Sequence, residues 1–152
     1  MDDLIFRVKK QKDGWYLASP VHEKLGGATE APDYDTLKER IQEFVRLGLR
    51  DDFHKEANLP RQPQIRLLYT ELLYANHHAE RILIAGNPDG DGGYRIRSDT
   101  PLSLNLHHKN FDTLRALLQK ELQRQGHHDK HIEFHLEEVI TPTEDYHARK
   151  IA

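Results

Sequence analysis

The sequence contains no cysteine, so it lacks every function that depends on a thiol. Disulfide frameworks, thiolate zinc sites, cysteine nucleophiles and iron–sulfur clusters are all excluded. No apolar run approaches the ~20 residues that a membrane-spanning helix needs. The opening segment, MDDLIFRVKK, is too polar for a signal peptide. We therefore expect a soluble, cytoplasmic protein that does not bind membranes.

The chain also lacks an excess of positive charge. It has 22 lysines and arginines against 25 aspartates and glutamates, which gives a net charge of -3. General binders of the nucleic-acid backbone usually carry a basic excess, so only a local basic patch is left for such a role. With 152 residues, the chain can form one ordinary core or two small units that share one. Large multidomain enzymes are excluded.

An internal repeat is present. Residues 34–38 (YDTLK) recur 77 positions later as 111–115 (FDTLR), and both segments open amphipathic helices. A glycine-containing segment around Tyr16 has a counterpart around Tyr94, and a later alternating segment also recurs. Because these features follow the same order in both places, a tandem duplication is favoured over chance similarity.

The first copy has the pattern of a hairpin, a helix and a last strand. A Lys-Asp-Gly turn signal separates two β-rich segments, and apolar residues then recur at helical spacing over 37–45. Residues 49–63 contain two prolines and predict a loop. Residues 64–74 predict a strand, with a short helix over 67–73 as the alternative. The segment 26–29 is either a short third strand or a loop. The second copy follows the same order, with a clearer third strand.

These elements predict an α+β fold of two fused β-β-(β)-α-β units, each a small antiparallel-rich sheet covered by one helix. The first unit spans residues 1–76 and the second, diverged copy spans 77–140, while 141–152 form a loose tail. The units can pack sheet edge to sheet edge or face to face. Such a chain is a monomer with internal pseudo-symmetry or a homodimer. The competing arrangement is a single ferredoxin-like β-α-β-β-α-β sandwich.

The first copy resembles the N-terminal domain of HicB-type antitoxins. The resemblance rests on DGWYLASP at 13–20, GGAT at 26–29 and YDTLKE at 34–39. It implies a partial ribonuclease-H-like fold that binds and blocks a small protein toxin without catalysis of its own. The chain departs from the family in two ways: a Pro-Gly pair is missing before residue 26, and the second copy replaces the DNA-binding C-terminal segment. Autoregulation through operator binding is therefore not implied.

Histidines are concentrated in the second copy, which holds most of the eleven. Imidazole and carboxylate groups are good ligands for zinc, nickel or copper, and residues two apart on a strand share one face. One interpretation is therefore a metal or pH-responsive site formed by His127, His128, His131 and His135. The other interpretation is that these histidines are solvent-exposed polar residues beside turns. No cofactor is predicted.

Candidate contact residues lie on the predicted strands. Tryptophan and tyrosine dominate the energetics of protein interfaces; Trp15, Tyr16 and Tyr94 are the residues we expect to contact a protein partner, unless they pack in the core. A basic patch beside the first hairpin is the candidate site for nucleic acid, or else protects a sheet edge from aggregation. It consists of Arg7, Lys9, Lys10 and Lys12.

Catalytic signatures are missing from the sequence: no nucleophile elbow, phosphate-binding loop or dinucleotide fingerprint occurs. We therefore predict that the protein is not an enzyme. The leading expectation is a protein-binding, antitoxin-like or inhibitor-like module that sequesters a small protein toxin or effector. The alternatives are a nucleic-acid-binding or regulatory protein and a histidine-based metal or pH-responsive protein.

Overall fold

The structure is a computed structural model that describes residues 3–50, 53–60 and 62–141. None of the helices in these ranges is long and apolar enough to cross a membrane. The elements follow in the order β1 (Leu4–Lys10), β2 (Tyr16–Pro20), β3 (Thr29–Ala31), α1 (Tyr34–Gly48), α2 (Phe53–Glu56), β4 (Ile65–Tyr74), β5 (Arg81–Pro88), β6 (Tyr94–Ser98), β7 (Leu104–His108), α3 (Phe111–Arg124), a 3-10 helix (His127–Asp129) and β8 (His131–Ile140).

All eight strands join one mixed sheet, in the order β3-β2-β1-β4-β8-β5-β6-β7. In the first half, from β1 to β4, strand β1 is antiparallel to β2 and parallel to β4. The second half, from β5 to β8, repeats this pattern, with β5 antiparallel to β6 and parallel to β8. Because β4 and β8 pair antiparallel at the centre, the halves are related by an approximate two-fold rotation.

The α+β class predicted from the sequence is confirmed. The segment after Gly27 does form a third strand, and the two units meet edge to edge in one sheet. The alternative ferredoxin-like sandwich is wrong, since its single sheet cannot hold eight strands. The predicted loop over 49–63 contains the short helix α2. The predicted tail lies outside the described residues, apart from Thr141.

Helices α1 and α3 begin in the same way and at equivalent positions. The Asp33 carboxylate accepts a hydrogen bond from the Thr36 N–H at 2.8 Å, and the Asn110 side chain accepts one from the Thr113 N–H at 2.9 Å. Each cap thereby satisfies one of the free N–H groups in the first turn of its helix. Asp33 and Asn110 are 77 positions apart, so the repeat includes the caps.

One face of the sheet, the covered face, packs against both helices. Side chains alternate between the two faces of a strand, and the buried residues of the sheet fall on alternate positions such as Phe6, Leu67 and Phe134. Helix α1 buries the stripe expected from its spacing, which includes Leu37 and Ile41. The covered face and the two helices therefore enclose one continuous hydrophobic core.

A cluster of six aromatic rings fills the middle of this core, where the two halves meet. The Tyr34 and Phe111 rings, which begin the two helices, lie 4.3 Å apart between centroids. Phe111 lies between 4.3 and 6.3 Å from each of the other rings. Aromatic pairs at such distances add to the stability gained from burial alone. The cluster consists of Tyr16, Tyr34, Tyr69, Tyr94, Phe111 and Phe134.

We predict that Phe111→Ala destabilises both halves together. Removing a fully buried phenylalanine costs about 3–5 kcal/mol, and this ring contacts strands of both halves. Urea unfolding followed by circular dichroism should show a single transition at lower urea. The matched control is Leu117→Ala on the same helix, where the side chain is 36% exposed and the loss should be much smaller. Two separate transitions would contradict the shared core.

Candidate functional site

Two groups of polar side chains link the two halves. In each group, a side chain from a helix of one half contacts a glutamate on a strand of the other half. In the Glu71 cluster, the carboxylate of Glu71 from β4 accepts hydrogen bonds from the Arg115 guanidinium on α3 and from the Tyr69 hydroxyl. Arg115 and Glu71 side chains are only 16% and 14% exposed. Paired charges with this degree of burial tie α3 to a strand of the first half.

The Glu138 cluster is the symmetry-related counterpart. The carboxylate of Glu138 from β8 accepts hydrogen bonds from the hydroxyls of Tyr34 and Tyr94, at 3.1 and 3.0 Å, and from Lys38 Nζ at 3.2 Å. Lys38 Nζ also donates to the Tyr94 hydroxyl at 2.7 Å. Lys38 belongs to α1, so this cluster ties the first helix to strands of the second half.

The carboxylates of both clusters are mostly buried and accept three hydrogen bonds each from groups of the chain itself. Glu71 and Glu138 each accept from a cation and from at least one tyrosine hydroxyl. A general acid or base must be able to reach a substrate proton. The Glu71 and Glu138 carboxylates instead accept hydrogen bonds from side chains of the same chain. The arrangement is suited to joining the halves.

Burial raises the pKa of four tyrosine hydroxyls well above the usual value. For Tyr16, Tyr34, Tyr69 and Tyr94, the loss of solvent is the largest cause, and neighbouring carboxylates add to it. A phenolate formed there would lie in the apolar core beside a negative charge. These hydroxyls therefore stay protonated as long as the core is intact.

Within the described residues, no helix packs on the opposite face of the sheet, the open face. Its central strands expose aliphatic side chains: Leu72 is 49%, Leu83 is 59% and Val139 is 44% exposed. In the register of the sheet, Leu72 and Leu83 lie on either side of Glu133. Val139, which pairs with Arg66, lies six residues farther along β8 than Glu133 and is separate from this pair of leucines. Exposed apolar groups that lie together on one surface, as Leu72 and Leu83 do, are typical of interaction sites.

Charged side chains surround these aliphatic residues on the open face. Arg66 pairs with Asp3 at 2.8 Å and also with Glu137, and Arg81 pairs with Glu133. By contrast, the side chains of Arg7 and Lys9 on β1 form no ion pair or hydrogen bond with another residue in the described part of the chain. Arg97 on β6 likewise has no such partner among the described residues, so uncompensated positive charge occurs in both halves, as a neighbouring pair on β1 and as a single residue on β6.

A shallow groove of about 390 Å³ lies beside these two cations. We call it the basic groove. It runs across β2, β1 and β4, and hydroxyl and leucine side chains alternate with the charges along its walls. Its lining side chains on the open face are Arg7, Lys9, Leu17, Ser19, Leu68 and Thr70.

The aromatic residues predicted to contact a partner divide between surface and core. Trp15, directly before β2, is 37% exposed. Tyr16 and Tyr94 are buried, so the expectation that they contact a partner is corrected: their strand positions face the helices. Two neighbouring aromatic residues on a strand must point to opposite faces, and the sequence does not show which one points inward.

The predicted basic patch is also divided between the two faces of the sheet. Arg7 and Lys9 are on the open face. Lys10 Nζ donates to the Gly14 carbonyl at 2.9 Å and lies 4.5 Å from the centre of the Tyr16 ring, so it stabilises the hairpin from the other side. Lys12 is exposed in the hairpin turn. The four cations do not form one surface.

The predicted histidine ligands are not gathered at one point. His127 and His128 lie in the 3-10 helix, whereas His131 and His135 are four residues apart on β8, a distance of about 13 Å along a strand. The His127 ring contacts the Gln125 side chain at 3.1 Å, and His131 Nδ1 accepts from the Asn76 N–H. The proposed four-histidine metal site is therefore corrected.

A different group is the one set of three possible metal ligands in the described ranges. Asp89, Asp91 and His107 have ligand atoms within 4.8 Å of one another. His107 Nε2 lies 3.1 Å from Asp89 Oδ2, Arg95 Nε lies 3.5 Å from the same oxygen, and the Gly93 N–H lowers the pKa of Asp91. These contacts explain the group without a metal. Sequence spacing could not reveal this group, because His107 on β7 is brought close to Asp89 only by the pairing of β5, β6 and β7 in the sheet.

Comparison with known proteins finds no matching protein family, curated protein or solved structure. The resemblance to HicB-type antitoxins therefore stays a prediction that depends on the quoted motifs.

We predict that Arg115→Met destabilises the protein by about 3–5 kcal/mol, because it leaves the Glu71 carboxylate poorly solvated and unpaired. The double variant Arg115→Met/Glu71→Gln should recover a large part of this loss, as measured by urea unfolding. The matched control is Arg124→Met on the same helix, whose salt bridge with Glu121 is exposed to solvent and should matter little. Equal effects of the two arginine variants would contradict the role of the Glu71 cluster.

We also predict a loss of stability at high pH. An unfolded tyrosine loses its proton near pH ~10, whereas the four core tyrosines, with raised pKa values, keep theirs. Stability is therefore fully present below pH ~10 and falls above it, by up to about 1.4 kcal/mol per pH unit for each such tyrosine.

The measurement is urea unfolding across this pH range, together with phenolate absorbance. The absorbance of the core tyrosines should rise only when circular dichroism shows unfolding, and Tyr69→Phe should make the fall in stability shallower. If these phenolates form while the fold is intact, the account of the core is incorrect.

Proposed function

We propose that the protein is a non-catalytic binding module that holds a protein partner on its open face. The observation that carries this proposal is the exposure of Leu72, Leu83 and Val139 on the sheet face opposite the helices. Burying such side chains against a partner is favourable by roughly 25 cal/mol for each Å² of apolar surface removed from water. Helices α1 and α3 already occupy the covered face, so the open face is the larger sheet surface on which no described element packs.

The open face is better suited to a protein than to a nucleic acid. Unspecific binding of single strands uses aromatic side chains on which bases stack, but the aromatic cluster lies in the core, and of the predicted surface aromatics only Trp15 is exposed. Carboxylates of Glu133 and Glu137 also lie between the cations and would repel phosphates. Aliphatic groups framed by charges are typical of protein interfaces.

Within this class, we propose an antitoxin-like or inhibitor-like role, in which the module sequesters a small protein toxin or effector. The resemblance of the first half to HicB-type antitoxins supports this role. The carboxylates of the Glu71 and Glu138 clusters are consistent with it, because they are engaged in internal contacts and are not presented to a substrate. Blocking a partner requires only a stable surface of complementary shape and charge.

The test is purification of the tagged full-length chain from its native host, in parallel with two variants. We expect a stoichiometric protein partner with the unaltered chain and its loss with Leu83→Glu, which places a charge in the aliphatic part of the open face. Leu117→Glu is the matched control, because Leu117 is exposed on α3 on the opposite side.

Retention of the partner by Leu83→Glu together with its loss from Leu117→Glu would show that the helical side is the binding surface. A chain that copurifies with nucleic acid and no protein would overturn the proposed function. The partner's own activity, measured with and without the module, then tests the inhibitor-like role.

A further inference from the structure

The basic groove differs from the rest of the open face in its chemistry. Arg66 and Arg81 have carboxylate partners, whereas the side chains of Arg7 and Lys9 in the groove have none in the described part of the chain. Arg97 on β6 also has none there, but it stands alone, and only β1 presents two such cations side by side. Positive charges left without partners beside a concave surface attract an anionic group from outside. The overall charge of -3 makes this local excess more distinctive, because it runs against the sign of the whole chain.

The groove also offers two other kinds of contact. The Ser19 and Thr70 hydroxyls can donate hydrogen bonds to an anion, and Leu17 and Leu68 provide apolar walls beside it. Its volume of about 390 Å³ lies at the small end of the ~300–1,000 Å³ that is usual for ligand pockets. A carboxylate on a short aliphatic stem, with an apolar neighbour, matches this combination.

The symmetry-related position in the second half has different chemistry. There Ala85 and Asn87 replace the two cations of β1, and His135 and Glu137 replace the leucine and threonine of β4. The two halves therefore offer different surfaces although their backbones correspond. Arg95 and Arg97 of β6 stand where β2 has Leu17 and Ser19, but Arg95 lies 3.5 Å from Asp89. Two neighbouring cations without carboxylate partners therefore occur, among the described residues, only in the groove of the first half.

We propose that the basic groove binds an acidic side chain, Asp or Glu, from an extended segment of the protein partner. This inference rests on the proposed function, because it names the chemistry that the partner must present. Leu68 and Leu72 lie on the same face of β4, so the groove and the exposed leucines form one continuous surface. The acidic side chain fixes the position of the partner, and the leucines bury its apolar residues.

The test uses the full-length protein and a short labelled peptide in which glutamates alternate with leucine and serine. Fluorescence anisotropy at low salt should detect binding of this peptide and much weaker binding when glutamine replaces each glutamate. Lys9→Glu should weaken binding by about tenfold or more, because repulsion replaces attraction. The matched control is Lys12→Glu, which makes the same charge change in the same hairpin outside the groove and should change affinity by less than about twofold.

Two further measurements keep the test decisive. A peptide with lysines in place of the glutamates should bind Lys9→Glu better than the unaltered chain, which shows that the variant is folded and that its specificity is reversed. Amide shifts in NMR spectra should move at Leu17, Ser19 and Thr70 on addition of the acidic peptide. Equal effects of Lys9→Glu and Lys12→Glu, or shifts elsewhere only, would overturn the proposal.

The outcomes also separate this inference from the proposed function. If Leu83→Glu loses the natural partner and Lys9→Glu keeps it, the open face binds a protein but the groove does not recognise its acidic group. A labelled oligothymidylate that binds more tightly than the peptide, and is lost in Lys9→Glu, would identify a nucleic-acid backbone as the ligand and overturn the inference.

Discussion

The packing of Tyr34 against Phe111 is the contact on which the arrangement of both halves depends. These rings begin the two helices, so the N-terminal, positively polarised ends of α1 and α3 meet at the approximate two-fold axis. An acidic residue in each first turn, Asp35 and Asp112, offsets this, and the Asp112 carboxylate also accepts the Tyr34 N–H at 3.1 Å. The Glu71 and Glu138 clusters link the two halves on either side of these rings. We call this region, where the halves meet, the joint. The result is a single core shared by two related halves.

This joint also determines where binding can occur. Because the helices meet at their first turns, they must lie on the same face of the sheet, and no described helix covers the opposite face. An antiparallel or mixed sheet with one free face normally shows mostly polar groups there, whereas this one exposes Leu72, Leu83 and Val139 among its charges. The duplication thus supplies a wide, rigid platform. Divergence between the halves places two neighbouring cations without carboxylate partners in the described residues, Arg7 and Lys9, on β1 in the first half.

Much of the fold could be predicted from the sequence, because the repeat fixes the order of the elements and helical spacing identifies α1 and α3. Less of the candidate functional site could be predicted from the sequence. Tyr16 and Tyr94 were expected at the surface but lie inward, since a pair such as Trp15-Tyr16 gives no sign of which ring faces the helices. The Lys38–Glu138 pair depends on the antiparallel register of β4 and β8, which joins residues 100 positions apart. The repeat did contain one unused signal, the paired caps Asp33 and Asn110.

Native-state hydrogen exchange of the full-length chain tests most directly whether the two halves form one cooperative body. The account predicts that the slowest amides of α1 and of α3 exchange with the same free energy of opening and the same dependence on urea, because both helices depend on one shared core. If the amides of α1 and α3 instead exchange with clearly different free energies, the halves open separately. The joint would then not determine the structure of the open face.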